Sequence, residues 1–362
     1  MTTPFRWGIV GCGKVATLHA AAIRSLPGAE LAAVCDALAD RATAFADRYG
    51  GAAYSDLAAM LTTAKLDALV IGTPHPLHAS AAIAALRAGV AVLVEKPMAA
   101  SLADCDAMLQ ASREHRTPLG VISQRRFYAP VRRMFEAVKA GKLGEPALGL
   151  FLMYSWRDPS YYTSDPWRGK WDTEGGGVLV NQSPHQLDLL LTMMGPALEV
   201  SGSWANLNHP TVEVDDTAVA TIRFRNGGLG SIVTSLSQKP GIYTKVHIHG
   251  RNGASIGVQT DRGATFVAGM SGIVEPPVTD LWTIPGEEHR LAEFEAEDRA
   301  EFARVDATWH YHAIQFADFM EAVRQGRPPA VSGEDGRRVV ELFQAIYQSH
   351  RERRAVPLSS PG

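Results

Sequence analysis

Two sets of side chains in this 362-residue sequence have the types and spacing for chemistry. Lys96 closes the run Val92-Leu93-Val94-Glu95 and is followed by Pro97. An apolar, β-branched run reads as a buried strand, and ligands of open parallel sheets sit beyond the strands' carboxyl ends. An ammonium held there can stabilise a developing oxyanion. Pro97 restricts the conformation of Lys96, with a cis bond as one option. The plainer alternative is a surface Glu-Lys pair ending an ordinary strand. The second set, Asn181, His185 and Asp188, follows Gly175-Gly176-Gly177. Spacings of four and three put all three on or near one helix face. A histidine with a carboxylate one turn away suits an oriented general base, although a buried histidine in a helix packed on a sheet explains it equally. The glycines permit an unusual turn and a close approach, and Pro184 predicts an irregular first turn or a helix starting there.

The elements that must hold these groups begin with a strand at Arg6–Val10. Gly11-Cys12-Gly13-Lys14-Val15-Ala16 then opens a helix reaching about Leu26. This is the G-x-G-x-x-A dinucleotide fingerprint: Gly11 for the turn, Gly13 for close approach to the pyrophosphate, Ala16 for helix–strand packing. The helix N-terminus offers N–H groups and a positive dipole end to phosphates. A second strand, Glu30 to Cys35, ends in Asp36, placed for a ribose 2′-hydroxyl. A carboxylate there repels a 2′-phosphate, so NAD is expected over NADP, while Arg41 one turn on could accommodate NADP. A tight turn and cap that bind nothing is the alternative.

Strand and helix signals then alternate: strands at 67–72, 92–94 and 118–122, and helices after His78 and over Ser101–His115. The pattern predicts an α/β fold, an N-terminal Rossmann doubly wound parallel sheet over residues 1–124. Thr73 and Pro74 cap the helix that His78 opens, and His78 itself reads as a structural hydrogen-bonder before a catalytic group. After Gln124 the pattern changes. A helix at 130–139 leads into long alternating strands at Ala147–Trp156, Ala197–Asn206, Asp216–Phe224, Leu229–Ser237 and Tyr243–Gly250, with Asn226-Gly227 as a hairpin turn. Residues 125–362 are therefore expected to form a second α/β domain for substrate binding and oligomerisation, with a large open, mostly antiparallel sheet and helices on one face. The C-terminal helices are free to pack back on the first domain.

Residues 156–172 hold too many turn formers for a regular element, yet are dense in aromatics and cations. Tyr161, Arg168 and Trp171 suit a sugar, whose C–H face packs on aromatic rings and whose hydroxyls accept a guanidinium fork. A buried subunit interface would also explain them. Arg125 is a further candidate for substrate or cofactor contact, as are His310 and His312 opening a helix at Asp306–Arg324; Trp156 reads as core.

Composition narrows the classes. Apolar content of 46% and charged content of 20% are those of an ordinary globular protein, and a net charge of −3 offers no footprint for nucleic acid or an anionic membrane. No apolar run spans a bilayer, and the N-terminus enters a strand without a signal segment. Cys12, Cys35 and Cys105 show neither metal spacing nor a disulfide framework. A cytoplasmic location and no metal are expected.

Taken together, Gly11-x-Gly13-x-x-Ala16, Thr73-Pro74-x-x-x-His78, Glu95-Lys96-Pro97 and Gly175-Gly-Gly…His185-x-x-Asp188 resemble the glucose–fructose oxidoreductase/inositol dehydrogenase (Gfo/Idh/MocA) family over nearly the whole chain. The resemblance implies bound NAD, with NADP possible, and a sugar, cyclitol or sugar-nucleotide substrate meeting the nicotinamide between the domains, a monosaccharide or small glycoside being expected over a nucleotide sugar. It implies Lys96 and His185 as catalytic residues, with Asn181 beside them. Gly11, Cys12, Gly13, Lys14, Val15, Asp36, Thr73, Pro74, His78, Glu95, Lys96 and Gln124 then fall to the cofactor. Lys96, Arg125, Tyr161, Arg168, Trp171, Asn181, His185 and His312 fall to the substrate. Asn181 departs from the family, where many members have Asp: an amide cannot take up a proton or balance a charge. The expectation is an NAD-dependent dehydrogenase of a ring secondary alcohol, His185 taking the proton and Lys96 giving electrostatic support. An NAD-dependent glycosidase of the same architecture, or a non-catalytic sugar or NAD sensor, are the alternatives. A homo-oligomer, dimer or tetramer, is expected.

Overall fold

The computed structural model describes residues 3–260, 266–267, 270–271 and 275–359. The chain divides into two units, residues 1–124 with 308–340 and residues 125–307 with 341–362.

The first unit is built on a six-stranded parallel sheet: β1 (Phe5–Val10), β2 (Ala29–Cys35), β3 (Ala52–Tyr54), β4 (Ala68–Ile71), β5 (Ala91–Val94) and β6 (Leu119–Val121), in the order β3-β2-β1-β4-β5-β6. The order reverses between β1 and β4, which is the topological switch point where such sheets bind ligands. β4 and β5 are buried at every position, as strands covered by helices on both faces must be. The core gathers Trp7, Ile9, Val70 and Leu93 with Phe316 and Phe319 of the helix His310–Gln325, the Trp7 and Phe316 rings 5.0 Å apart. This helix starts four residues later than the Asp306 expected. It also closes the sheet's edge: Gln315 Nε2 donates to the Val121 carbonyl (2.8 Å) and its Oε1 accepts from Ser123 N–H (3.0 Å).

The second unit carries an eight-stranded sheet: β7 (Pro146–Tyr154), β8 (Ala197–Ala205), β9 (Thr217–Phe224), β10 (Leu229–Ser235), β11 (Tyr243–Gly250), β12 (Ser255–Thr260), β15 (Val278–Trp282) and β16 (Val356–Pro357); Phe266–Val267 (β13) pairs separately with Met270–Ser271 (β14). The order is β15-β12-β11-β7-β10-β9-β8-β16, antiparallel except for the β7–β10 pair. Strict alternation in β9 buries Ala218, Ala220, Ile222 and Phe224 on one face. The helix Pro184–Met194 packs on that sheet, so close to Gly149 of β7 that an added Cβ would lie 2.6 Å from Leu190 Cδ1. β15 and β16 are short and pair with strands well removed in sequence, β12 and β8, whereas β12 returns directly on β11 across residues 251–254. None of the three was expected. Residues 156–172 differ from expectation too. Two short helices, Pro159–Thr163 and Trp171–Glu174, form there, the first because Asp158 accepts the Ser160 N–H (3.0 Å) ahead of Pro159. Among the described residues no helix is long and apolar enough to cross a membrane, and all three cysteines are free and buried.

Candidate active site

On the nucleotide side the groups sit at the carboxyl ends of β1, β2, β4 and β5. Gly11 has φ +88°, and a Cβ there would lie 2.8 Å from Gly72 C and Thr73 N, so only glycine lets this turn press against the next strand end. Gly13 by contrast faces open space. Asp36 fastens the turn: Oδ2 accepts the Cys12 N–H (3.0 Å), Oδ1 accepts the Leu38 N–H (3.0 Å), and Arg41 Nη1 is 3.6 Å from Oδ2. Each carboxylate oxygen keeps a second lone pair for a ribose hydroxyl. Thr73 Oγ1 is buried without a protein partner beside Gly11. A glycine turn open to a pyrophosphate, an acid at the ribose position and an orphaned hydroxyl at the switch point fit NAD. Lys14 is exposed at the helix N-terminus, next to Val15, and Gln124 ends the unit with its Oε1 buried and without a hydrogen-bond partner.

Lys96 is half-buried at the end of β5, and the Lys96–Pro97 peptide is cis. His78 is fully buried: Nδ1 lies 3.0 Å from the Pro97 carbonyl and Nε2 2.9 Å from the Thr73 carbonyl, so it ties the two loops together. Both ring nitrogens face backbone, which favours the structural role read from sequence. Burial lowers its pKa, the carbonyls opposing. Glu95 is held by His19, whose Nε2 is 2.9 Å from Oε1, and its Oε2 accepts the Lys96 N–H (3.1 Å). Burial alone would raise the Glu95 pKa, but the hydrogen bond and charge of His19 outweigh it and hold the carboxyl at about 2. His312 belongs to this first unit, not to the group containing Tyr161 and Arg168. It faces His19 across 5.9 Å between rings, and burial first, then the His19 charge, brings its pKa down to about 4. Donor atoms of His19, Glu95 and His312 lie within 4.8 Å of one another, a metal-capable trio the sequence reading did not find. His19 was missed although it stands on the inward face of the fingerprint helix, eight residues after Gly11.

In the second unit, Gly177 explains the glycine run. A Cβ there would lie 1.9 Å from the Asp215 carbonyl oxygen. Asp215 Oδ1 accepts the Gly177 N–H (2.7 Å) and the Tyr347 hydroxyl (2.6 Å), and Oδ2 accepts the Leu179 N–H (3.1 Å). The chain then makes one π-helical turn, Val178–Gln182, before the regular helix begins at Pro184, the irregular start expected from that proline. This turn carries Asn181; His185 is buried on the helix proper. Asp188 has a partner the spacing did not reveal: Arg126 grips both its oxygens, Nε to Oδ2 at 2.7 Å and Nη2 to Oδ1 at 2.5 Å. Arg125 instead donates to Thr260 Oγ1 (3.0 Å).

Tyr161 is the hub of the remaining candidates. Its hydroxyl meets Arg168 Nη1 (2.5 Å), Asn181 Nδ2 (3.0 Å) and Gln182 Nε2 (2.9 Å), and the Arg168 guanidinium lies 4.4 Å over its ring. Asn181 Nδ2 also donates to Glu174 Oε1, and Glu174 Oε2 accepts the Gly169 N–H at 2.6 Å. Burial raises the Glu174 pKa. Trp171 lies apart from this hub. Its indole N–H donates to the Glu213 carbonyl (3.1 Å), and its ring packs on Trp204 and Tyr347, each 5.2 Å away. Trp156 is partly exposed and stacks near His209 (5.5 Å). His209 was not singled out by sequence. Its Nδ1 is 2.8 Å from Asp216 Oδ2 and its Nε2 2.8 Å from the Arg157 carbonyl, which anchors the 156–172 segment. Adjacent acids opening an otherwise apolar strand, Asp215-Asp216, were the available signal.

Residues 5–123 match the model of the oxidoreductase family NAD-binding Rossmann fold, and residues 136–358 match its C-terminal alpha/beta domain. The myo-inositol 2-dehydrogenase of Thermotoga maritima is 28% identical, with 98% of each chain covered. The D-apiose dehydrogenase of Paraburkholderia graminis is 26% identical, over 98% of this chain and 90% of the relative. The WlbA dehydrogenase of Bordetella pertussis, crystallised with NADH and UDP-GlcNAcA, superposes with a TM-score of 0.87 at 28% identity, with 99% of each chain covered. The chain therefore belongs to the Gfo/Idh/MocA family and is an NAD(P)-dependent oxidoreductase acting on CH–OH groups.

Proposed function

We propose that this oxidoreductase oxidises a ring secondary alcohol of a sugar, anhydrosugar, glycoside or cyclitol to the keto form. Bound NAD supplies the hydride acceptor. His185 takes the hydroxyl proton, and Lys96 stabilises negative charge as it develops on the alcohol oxygen. Asn181, Tyr161, Arg168 and Arg125 contact substrate hydroxyls. The observation carrying this reading is that Lys96 stands at the end of β5 and His185 lies buried on the helix Pro184–Met194, the two positions where the sequence resembles the family's catalytic lysine and histidine.

A small neutral substrate is favoured over a nucleotide sugar. Arg126 is matched by Asp188, and Arg168 by Asp165 (3.1 Å), so these cations form no diphosphate clamp. The test is NADH absorbance with myo-inositol, hexoses, 1,6-anhydroglucose, methyl glucosides and a UDP-sugar. Net NADH from the first four groups supports the reading. Exclusive turnover of the UDP-sugar overturns the substrate choice; cleavage of a glycoside without net NADH identifies the glycosidase alternative, and no turnover at all the sensor.

The open face of the second sheet is read as a surface for self-association. Leu148 and Leu229, opposite each other in register, are 38% and 55% exposed, and Val219 is 46% exposed. Light scattering that finds only monomer would remove this assignment.

A further inference from the structure

Asn181 occupies a position where many family members carry an acid, and its surroundings show why an amide stands there. Its Nδ2 has two hydrogens, and the structure gives both a partner: Tyr161 Oη at 3.0 Å and the carboxylate of Glu174. Glu174 is 1% exposed, and its other oxygen is held by the Gly169 N–H. An aspartate at 181 would set two carboxylates within hydrogen-bond distance, a like-charged pair that could persist only by sharing a proton. The neutral donor at 181 and the buried acid at 174 are therefore matched to each other.

We propose that Glu174 is a positioning residue: by engaging Nδ2, it fixes the Asn181 amide so that position 181 offers substrate a carbonyl oxygen, a hydrogen-bond acceptor without charge. The inference rests on the reading above that Asn181 meets the substrate. It also accounts for the departure from the family. With the amide held this way, the chain keeps a hydrogen-bond acceptor at 181 and places its acid behind it, at Glu174.

The amide's direction follows from what each neighbour can do. In Glu174→Gln, the Gly169 N–H still requires an acceptor, so the glutamine oxygen must face Gly169 and its NH2 must face Asn181. Asn181 then has to turn its oxygen inward, and position 181 presents a donor to the substrate instead. One mismatched hydrogen bond corresponds to about a 3–10-fold change in affinity.

The experiment uses whichever of myo-inositol, methyl β-D-glucopyranoside or 1,6-anhydroglucose the wild type oxidises fastest. Glu174→Gln is expected to raise the KM for that compound about 3–10-fold, with kcat within about twofold and the KM for NAD unchanged. A merely structural Glu174 would lower kcat and melting temperature and leave that KM alone, which overturns the proposal. Asn181→Ala separates the two layers. If it raises KM and Glu174→Gln does not, Asn181 touches substrate and Glu174 does not position it. If both are silent, the contact itself fails and the proposal fails with it. Should Glu174→Gln not fold, judged by melting and NADH fluorescence, Asn181→Asp decides. Its kcat/KM should fall, and Asn181→Asp/Glu174→Gln should recover it, because a glutamine NH2 can donate to the new carboxylate. A double variant no better than Asn181→Asp overturns the proposal.

Discussion

The glycine turn of the first unit and the Tyr161 cluster of the second hold their side chains by different means. Around the glycine turn, the partners are backbone groups of short neighbouring loops: Asp36 takes the Cys12 and Leu38 N–H groups, and His78 reaches the Pro97 and Thr73 carbonyls. Around Tyr161 the partners are other side chains, drawn from residues 161 to 182, and the turn beneath them hangs on Asp215 and Tyr347, far along the chain. A backbone-held site depends on one motif and its strand ends. A side-chain-held site depends on every member, since removing one leaves buried polar atoms without partners.

The largest expected effect falls on His185. His185→Ala is expected to lower kcat by about 10²–10⁴-fold, the usual worth of general acid–base help, while the NADH dissociation constant stays put. Equal losses in both quantities would mean that the histidine supports the fold.

Asp215→Ala probes the anchor of the second side. Three donors lose a buried acceptor, a cost of about 3 kcal/mol, and the melting temperature should fall by about 6–12 °C with NADH affinity retained. A shift under about 2 °C would show that the glycine turn stands without it.

Asp36→Ser sharpens the first side. Losing the carboxylate removes the repulsion of a 2′-phosphate, and the kcat/KM ratio for NAD over NADP should drop about tenfold. An unchanged ratio, or a wild type that already prefers NADP, would take cofactor choice away from Asp36.

The smallest effect is a pH dependence. Burial lowers the His209 pKa, but the hydrogen bonds to Asp216 and the Arg157 carbonyl outweigh it and leave the value raised. Burial raises Asp216, and the bonds from His209, Leu207 and Asn208 outweigh that and hold it low. The histidine's contribution is complete below its unfolded pKa of about 6.5 and is lost as pH rises through the raised folded value. The aspartate's is complete above about 3.9 and is lost as pH falls. The melting-temperature gap between wild type and His209→Gln should therefore be widest between about pH 4 and 6.5 and narrow at higher pH. A gap that widens above pH 7 would mean that protonated His209 does not stabilise the fold.

Much of the first side could be read without coordinates. Gly11, Gly13 and Asp36 follow from a motif whose spacing is set by one strand, one turn and one helix, and β5 with Lys96 follows from an unbroken apolar run. The alternation in β9 and β11 and the Asn226-Gly227 turn likewise carried the second sheet. The pairings were hidden. Arg126 with Asp188, Glu174 with Asn181, Tyr347 with Asp215 and His209 with Arg157 join residues that share no period and no common element, or lie on segments too short to announce themselves.

By itself the sequence determined the doubly wound first sheet, the glycine turn and the family, because each depends on local periodicity and on residue types with few substitutes. Tertiary structure alone decided which carboxylate meets which donor. A buried acid takes whatever N–H or O–H the packing brings within about 3 Å, and that choice is made by the fold as a whole.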